Sequence, residues 1–180
     1  VLLYEPSIRI PLIIYDPRDS AANDASSSDA LVALVDIAPT LIGFVGLPVP
    51  QEVQGKNLEP LMRVAETPWR DILFLENNMT IQNYPRMEGV RTQRWKYIRY
   101  FDKAMDQGYE EMLMASVNGE QPVYEELFDL EKDPVEVQNL IADPACQDIL
   151  KSLRTKNAVL LKQHRGASPL NTYVETTANE

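Results

Sequence analysis

Cysteine and histidine are nearly absent: 180 residues contain one of each. One cysteine excludes an intramolecular disulfide framework and a multi-cysteine metal site. One histidine excludes a centre built on several imidazoles. Glycine is sparse as well, with seven scattered residues. No Gly-rich phosphate loop, dinucleotide turn or Ser-elbow pentapeptide occurs. No apolar run approaches the roughly 20 residues that span a bilayer. The opening Val1-Leu2-Leu3-Tyr4 is neither the charged nor the long apolar part of a signal peptide. It also lacks a methionine, and part of a longer protein is the expectation. Positive charge is the scarcer sign, 17 Lys+Arg against 27 Asp+Glu, for a net charge of −10. That balance disfavours a nucleic-acid partner, which calls for a basic face.

What is present is globular. Hydrophobic residues make up 44% and charged residues 24%, enough for a packed core and too apolar for disorder. The run Ile8–Tyr15 is β-branched and apolar on both faces, and predicts a buried parallel strand over 11–15, after Pro11. Ser20 to Asp29 reads as an exposed loop. A single helix over 31–46 would hold Pro39 in its interior, at a cost of about 3 kcal/mol. The spacing instead predicts an extended 31–35, then a helix capped by Asp36 with Pro39 in its first turn and Gly46 just past its end. Asn57 predicts a second, short helix with Pro60 in its first turn. From Trp69 the texture changes. Ile72–Leu75 reads as a strand, 89–91 and 95–100 as a hairpin around Thr92-Gln93-Arg94, and Glu126–Leu130 as a further strand. Ile149, Leu150, Leu153, Leu160 and Leu161 mark a final helix over about 145–164. The pattern divides the chain into 1–64, 65–166 and a tail over 167–180. The front is too small to close a sheet, and the back is a small antiparallel α+β layer.

Few residues offer chemistry. Cys146 at the start of the last helix reads first as an apolar filler, although a helix N-terminus can activate a thiol. His164 reads as a helix-end cation. The carboxylate pairs Glu110-Glu111 and Glu125-Glu126 read as surface, and Asp133 with Glu136 lacks the spacing of a calcium loop. Asn78-Met79-Thr80 fits the N-glycosylation pattern, which arises often by chance. Arg91, Arg94, Lys96 and Arg99 interleave with Trp95, Tyr97 and Tyr100. They suit either an anion- or sugar-facing surface or, more simply, a strand with a charged outer side. No catalytic constellation emerges.

Five segments, in order, resemble the sulfatase family of the alkaline phosphatase superfamily. They are Tyr4-Glu5-Pro6-Ser7-Ile8-Arg9-Ile10-Pro11-Leu12-Ile13; Val35-Asp36-Ile37-Ala38-Pro39-Thr40-Leu41 with Gly46-Leu47-Pro48; Gly55-Lys56-Asn57-Leu58-Glu59-Pro60-Leu61; Gly89-Val90-Arg91-Thr92-Gln93-Arg94-Trp95-Lys96-Tyr97-Ile98; and Glu126 to Pro134 with Glu136, Asn139 and Leu140. The resemblance covers about residues 4–142. It implies an α/β fold class: the end of an alkaline-phosphatase-like α/β domain (1–64), then a small antiparallel-sheet subdomain with a C-terminal helix (65–166).

The resemblance also implies sulfuric ester hydrolysis by a formylglycine made within C/S-x-P-x-R, with a divalent metal, usually calcium. Cys146 is followed by Gln147-Asp148-Ile149-Leu150 and does not fit. The nucleophile, the metal ligands and a sulfate-contacting lysine are expected in an N-terminal part outside this chain. No catalytic or metal residue is therefore assigned, and the chain alone is expected to be inactive. Its expected role is to shape the rim of the substrate pocket, with Asn77, Asn78, Gln82, Asn83, Tyr84 and Arg86 as candidates, since they offer donors, acceptors and a ring. The expected partners are that N-terminal domain and a sulfated small molecule or glycan; the resemblance is compatible with a secreted or periplasmic setting and does not fix it. Standing alone, the strand at 11–15 would lead to self-association. Two other readings stay open: part of a metal-dependent phosphodiesterase or phosphonate hydrolase, and a non-catalytic binding module. The net charge of −10 weighs against the second as a binder of sulfated glycans.

Overall fold

The computed structural model describes residues 2–18, 27–63, 67–78, 84–102 and 109–165. The chain forms two compact units: Val1–Ile10 with Phe74–Glu180, and Pro11–Leu73.

The larger unit is built on a four-stranded sheet of order β1-β2-β3-β4: β1 Ile72–Asn77, β2 Arg86–Thr92, β3 Trp95–Phe101 and β4 Tyr124–Asp129. β2 and β3 form the expected hairpin, with Arg91 opposite Lys96 and Arg86 opposite Phe101. The Thr92 hydroxyl closes it by accepting from Trp95 N at 2.9 Å. β4 lies antiparallel to β3, with Lys96 opposite Phe128. Its outer edge is covered: Leu140 N donates to Leu127 O at 2.8 Å, and the Asn139 side chain accepts from Leu127 N at 3.0 Å. A closed edge cannot recruit another strand.

Side chains alternate across the sheet, and both faces are buried. One face presents Met87, Ile98, Tyr100 and Phe128 to Leu2, Leu3, Tyr4 and Ile8 of the N-terminal segment, which contains the short helix α1, Glu5–Ile8. The other lies under helix α5, Gln147–Arg165, which packs on β2 and β3. A short 3-10 turn, Pro144–Cys146, leads into α5, and Asp143 caps it by accepting from Ala145 N. The α5 stripe is Leu150, Leu153, Asn157 and Leu161, all buried. Between β3 and β4 the chain makes α4, Tyr109–Ala115. The N-terminal segment thus joins this layer rather than the front part over 11–64. The contacts that hold it join residues about 90 to 130 positions apart, which no local pattern encodes.

The smaller unit follows the predicted punctuation at Pro39, Gly46 and Asn57 but not at Asp36: the extended stretch stops short of 34, and Asp36 makes no side-chain cap, its carboxylate being taken by donors from Ala33, Lys56 and Arg70. A 3-10 turn, Leu34–Asp36, precedes α2, Ile37–Phe44, and α3 spans Glu59–Arg63. Pro39 falls in the first turn of α2 and Gly46 takes φ 72°, a conformation natural to glycine. Asn57 opens α3 by accepting from Glu59 N at 2.9 Å. Gly55 is required by proximity, because a Cβ there would lie 1.9 Å from Val35 O.

The strand expected over 11–15 is absent. Residues 9–16 carry neither helix nor strand, and Ile13 is 91% exposed. A strand exists only through pairing, and among the described residues none pairs here. The apolar side chains that suggested a buried strand are instead left at the surface of their unit. The predicted loop at 20–29 lies outside the described residues up to position 26, as does the whole tail after Arg165.

Candidate functional site

The rim candidates gather where β1 ends and β2 begins. Asn77 is the last residue of β1. The Asn78 side-chain oxygen accepts from the Arg165 guanidinium at 3.0 Å. Tyr84 is 37% exposed. Gln82 and Asn83 lie outside the described residues, as do Met79 and Thr80 of the glycosylation pattern. Arg86 is turned inward and only 2% exposed. It ion-pairs with Glu120, donates to Met112 O, and lies 4.6 Å from the centroid of the Phe101 ring. Of the six candidates, Asn77, Asn78 and Tyr84 are thus described and not buried, whereas Arg86 is buried.

The basic and aromatic cluster of the hairpin is internal. Lys96 is fully buried, with its ammonium 2.7 Å from Glu5, 2.6 Å from Glu136 and 3.1 Å from Leu3 O. Arg91 grips Glu5 through two nitrogens at 3.1 Å. Glu136 takes φ 58°, costly for a residue with a side chain, and is held there as Glu5 N donates to its carboxylate at 2.6 Å. Beside it, the Tyr4 and Tyr100 hydroxyls both donate to Glu126. On the opposite face Arg99 approaches Glu88 at 2.9 Å, but no donor is aligned, so the contact is coulombic. Arg94 forms a two-point bridge to Asp129. Neither sequence reading of this cluster holds for Arg91, Lys96 and Arg99, because their charges are answered inside the fold.

Three of the five family-like segments meet in this network: Tyr4 and Glu5 from the first, Arg91 and Lys96 from the fourth, Glu126 and Glu136 from the fifth. The second and third meet in the smaller unit. There the buried Asp36 carboxylate accepts from Ala33 N, Lys56 N and both terminal nitrogens of Arg70, at 2.6 to 2.8 Å. Thr40 donates to Asp36 O and accepts from Leu58 N. The segments that carry the resemblance are therefore structural clasps.

The remaining reactive groups are quiet. The Cys146 thiol is buried, and burial, with Asp143 and Asp129 adding to it, raises its pKa. A thiol so placed is a poor nucleophile. His164 stacks on Phe74, centroids 5.4 Å apart. Among the described residues no three His, Cys, Asp or Glu side chains are grouped to hold a metal ion. Glu5, Asp36 and Asp129 already face cations of the chain itself. The described residues therefore do not fit a calcium site. Also among the described residues, no helix is long and apolar enough to cross a membrane.

The titration pattern gives a stability profile. Burial would raise the Glu5 and Glu125 carboxyls, but hydrogen bonds from Arg91 and Lys96, and from Arg154 and Tyr97, outweigh it and hold them low. The Arg18 side chain brings Asp16 down to about 2. Burial first, and then Glu125 and Glu126 respectively, push the Tyr97 and Tyr100 phenols well up. A lowered acid loses its stabilising effect as pH falls through its folded value. A raised phenol binds its proton more tightly when folded, so stability falls as pH rises past its unfolded value of 10.0. Each phenol then removes at most about 1.4 kcal/mol per pH unit. The urea midpoint is expected to be flat from about pH 5 to 10 and to drop on both sides. A midpoint unchanged at pH 11 would contradict the buried-phenol account.

The comparisons with known proteins agree with this geometry. Arylsulfatase K of Bos taurus is 32% identical over 150 residues, 78% of this chain and 23% of its own length. An arylsulfatase of Clostridium perfringens is 29% identical over 164 residues, 91% of this chain and 29% of its own. The chain thus spans about a quarter of the length of these relatives. Among solved structures, the 2-O GAG sulfatase BT1596 shares 28% identity with a TM-score of 0.53, over 82% of this chain and 28% of that one. BT4656, solved with its substrate D-glucosamine-2-N,6-O-disulfate, shares the fold with a TM-score of 0.58 at 24% identity, over 74% of this chain and 24% of that one. The family model described as N-sulphoglucosamine sulphohydrolase, C-terminal, matches residues 1–163, so the chain belongs to this C-terminal sulfatase family.

Proposed function

We propose that this chain is the C-terminal portion of a sulfuric ester hydrolase, where it frames the pocket and lines its rim while the bond-breaking groups stand elsewhere in the protein. The observation that carries this reading is the match of residues 1–163 to a C-terminal sulfatase family. Two features support it. The one thiol is buried, and the one imidazole is stacked on Phe74. Ile13, Tyr15, Leu34, Leu41, Val45 and Leu47 of the smaller unit are well exposed, as is natural for a layer that an N-terminal sulfatase domain covers. That domain is the expected partner and the expected holder of the formylglycine and the divalent metal, for which calcium is the candidate.

The substrate class proposed is a sulfated amino sugar. An N-acetylglucosamine-6-O-sulfatase of Bacteroides thetaiotaomicron is 28% identical over 93% of this chain, and Asn77, Asn78 and Tyr84 supply the amide and ring groups that suit such a ligand. Incubated alone with calcium, the chain is expected to release no 4-nitrophenol from 4-nitrophenyl sulfate. In the intact sulfatase, Tyr84→Ala is expected to raise KM for a glucosamine sulfate about three- to tenfold, the loss of one aromatic contact of about 0.5–1.5 kcal/mol. Turnover by the purified chain alone, or an unchanged KM, would overturn the reading.

A further inference from the structure

α4 is short, and its last four carbonyls have no partner inside the helix. Four separate donors answer them. Asn118 N donates to Met114 O and Glu120 N to Ala115 O, the usual return of the chain. The other two are met by side chains from distant elements. Arg86, at the start of β2, donates to Met112 O, and Arg165, the last residue of α5, donates to Leu113 O at 2.8 Å. Two guanidinium groups thus face the negative end of one helix.

Arg165 does more than cap. It is 8% exposed. Its Nε and one terminal nitrogen reach Glu76 at 3.1 and 2.6 Å, and that same nitrogen reaches Asn78 at 3.0 Å. The nitrogen that donates to Leu113 O also lies 3.6 Å from Glu88. One planar fork therefore joins the end of β1, the middle of β2 and the end of α4. The sheet register places these together, since Arg86 at the start of β2 pairs with Phe101 at the end of β3. A lysine cannot substitute, because an ammonium has neither the planar fork nor five donors.

We propose that Arg165 is a positioning residue for substrate selection. It fixes Asn78 and the C-terminal end of α4 in one arrangement, and through them sets how the rim meets the sugar. The proposal rests on the rim reading above. In the intact sulfatase, Arg165→Lys is expected to raise KM for a glucosamine sulfate at least fivefold, with kcat for that substrate within twofold. An equal loss of kcat on the glucosamine sulfate and on 4-nitrophenyl sulfate, or an unchanged KM, overturns it. Tyr84→Ala separates the two levels. If it raises KM and Arg165→Lys does not, positioning fails and the rim stands. If neither moves KM, both fail. Amide exchange on the chain carrying Arg165→Lys gives a readout independent of activity. Protection is expected to fall together at residues 76–78 and at Asn118 and Glu120, with β3 unchanged. A uniform change or none counts against the proposal.

Discussion

Replacing Lys96 with alanine is expected to lower the unfolding free energy by about 3–5 kcal/mol, the range found when one partner of a buried ion pair is removed. The ammonium is fully buried between Glu5 and Glu136, which are 8% and 1% exposed at their side chains. Without it, Glu136 is left as an uncompensated buried carboxylate. Arg91 still holds Glu5, so the loss falls mainly on Glu136 and on the φ 58° conformation it maintains. A domain of ordinary stability, about 5–15 kcal/mol, would survive in a weakened form. Combining Lys96→Met with Glu136→Gln should recover much of the loss measured by urea denaturation, since the buried charge is removed along with its partner. A penalty below about 1 kcal/mol at pH 8, the level of an exposed pair, would mean that the ammonium is not buried as described.

That cluster also marks the boundary of what the sequence discloses. The alternation of Trp95, Tyr97 and Arg99 with Lys96, Ile98 and Tyr100 locates β3, because side-chain direction along a strand is a local property. Which cation meets which carboxylate is not local: Lys96 and Glu5 are 91 positions apart, and nothing in the period of either segment refers to the other. A strand with charged residues on both sides reads as half-exposed, whereas here the N-terminal segment covers one face and α5 the other. Arg86 was misplaced for the same reason. A guanidinium between an Asn-rich loop and a strand resembles a ligand-facing group until the carbonyl of Met112, at the end of α4, is seen to accept from it. Pro39, Gly46 and Asn57 were read correctly, because capping and helix termination depend on residues within a turn of each other. The run over 11–15 failed because apolar content signals that a segment is covered without saying by what. The candidate rim was half legible: its location between β1 and β2 follows from the strand pattern, but the clasp behind it, Arg165, is separated from Glu76 by 89 positions.

Asp36→Asn tests the smaller unit in the same terms, and a loss of about 3–5 kcal/mol is expected. The carboxylate is wholly buried and accepts from four donors. An amide of the same shape keeps one acceptor oxygen and turns an NH2 group toward donors. Either Ala33 N and Arg70, or Lys56 N and Arg70, then face a like group across less than 3 Å. Arg70 is also left without a counter-charge at 13% exposure. The result can be read locally. The protein has two tryptophans, and Trp69 lies beside Arg70 with its Nε1 donating to Leu31 O at 2.8 Å. In a Trp95→Phe background, the emission of Trp69 should shift to the red at a much lower urea concentration in the Asp36→Asn protein. Arg70→Met should produce a similar shift, and the double variant should lose less than the sum, because one interaction cannot be lost twice. Additive losses would show that Asp36 and Arg70 act separately. That outcome would leave the family-like segment around Asp36 without the clasp that explains it.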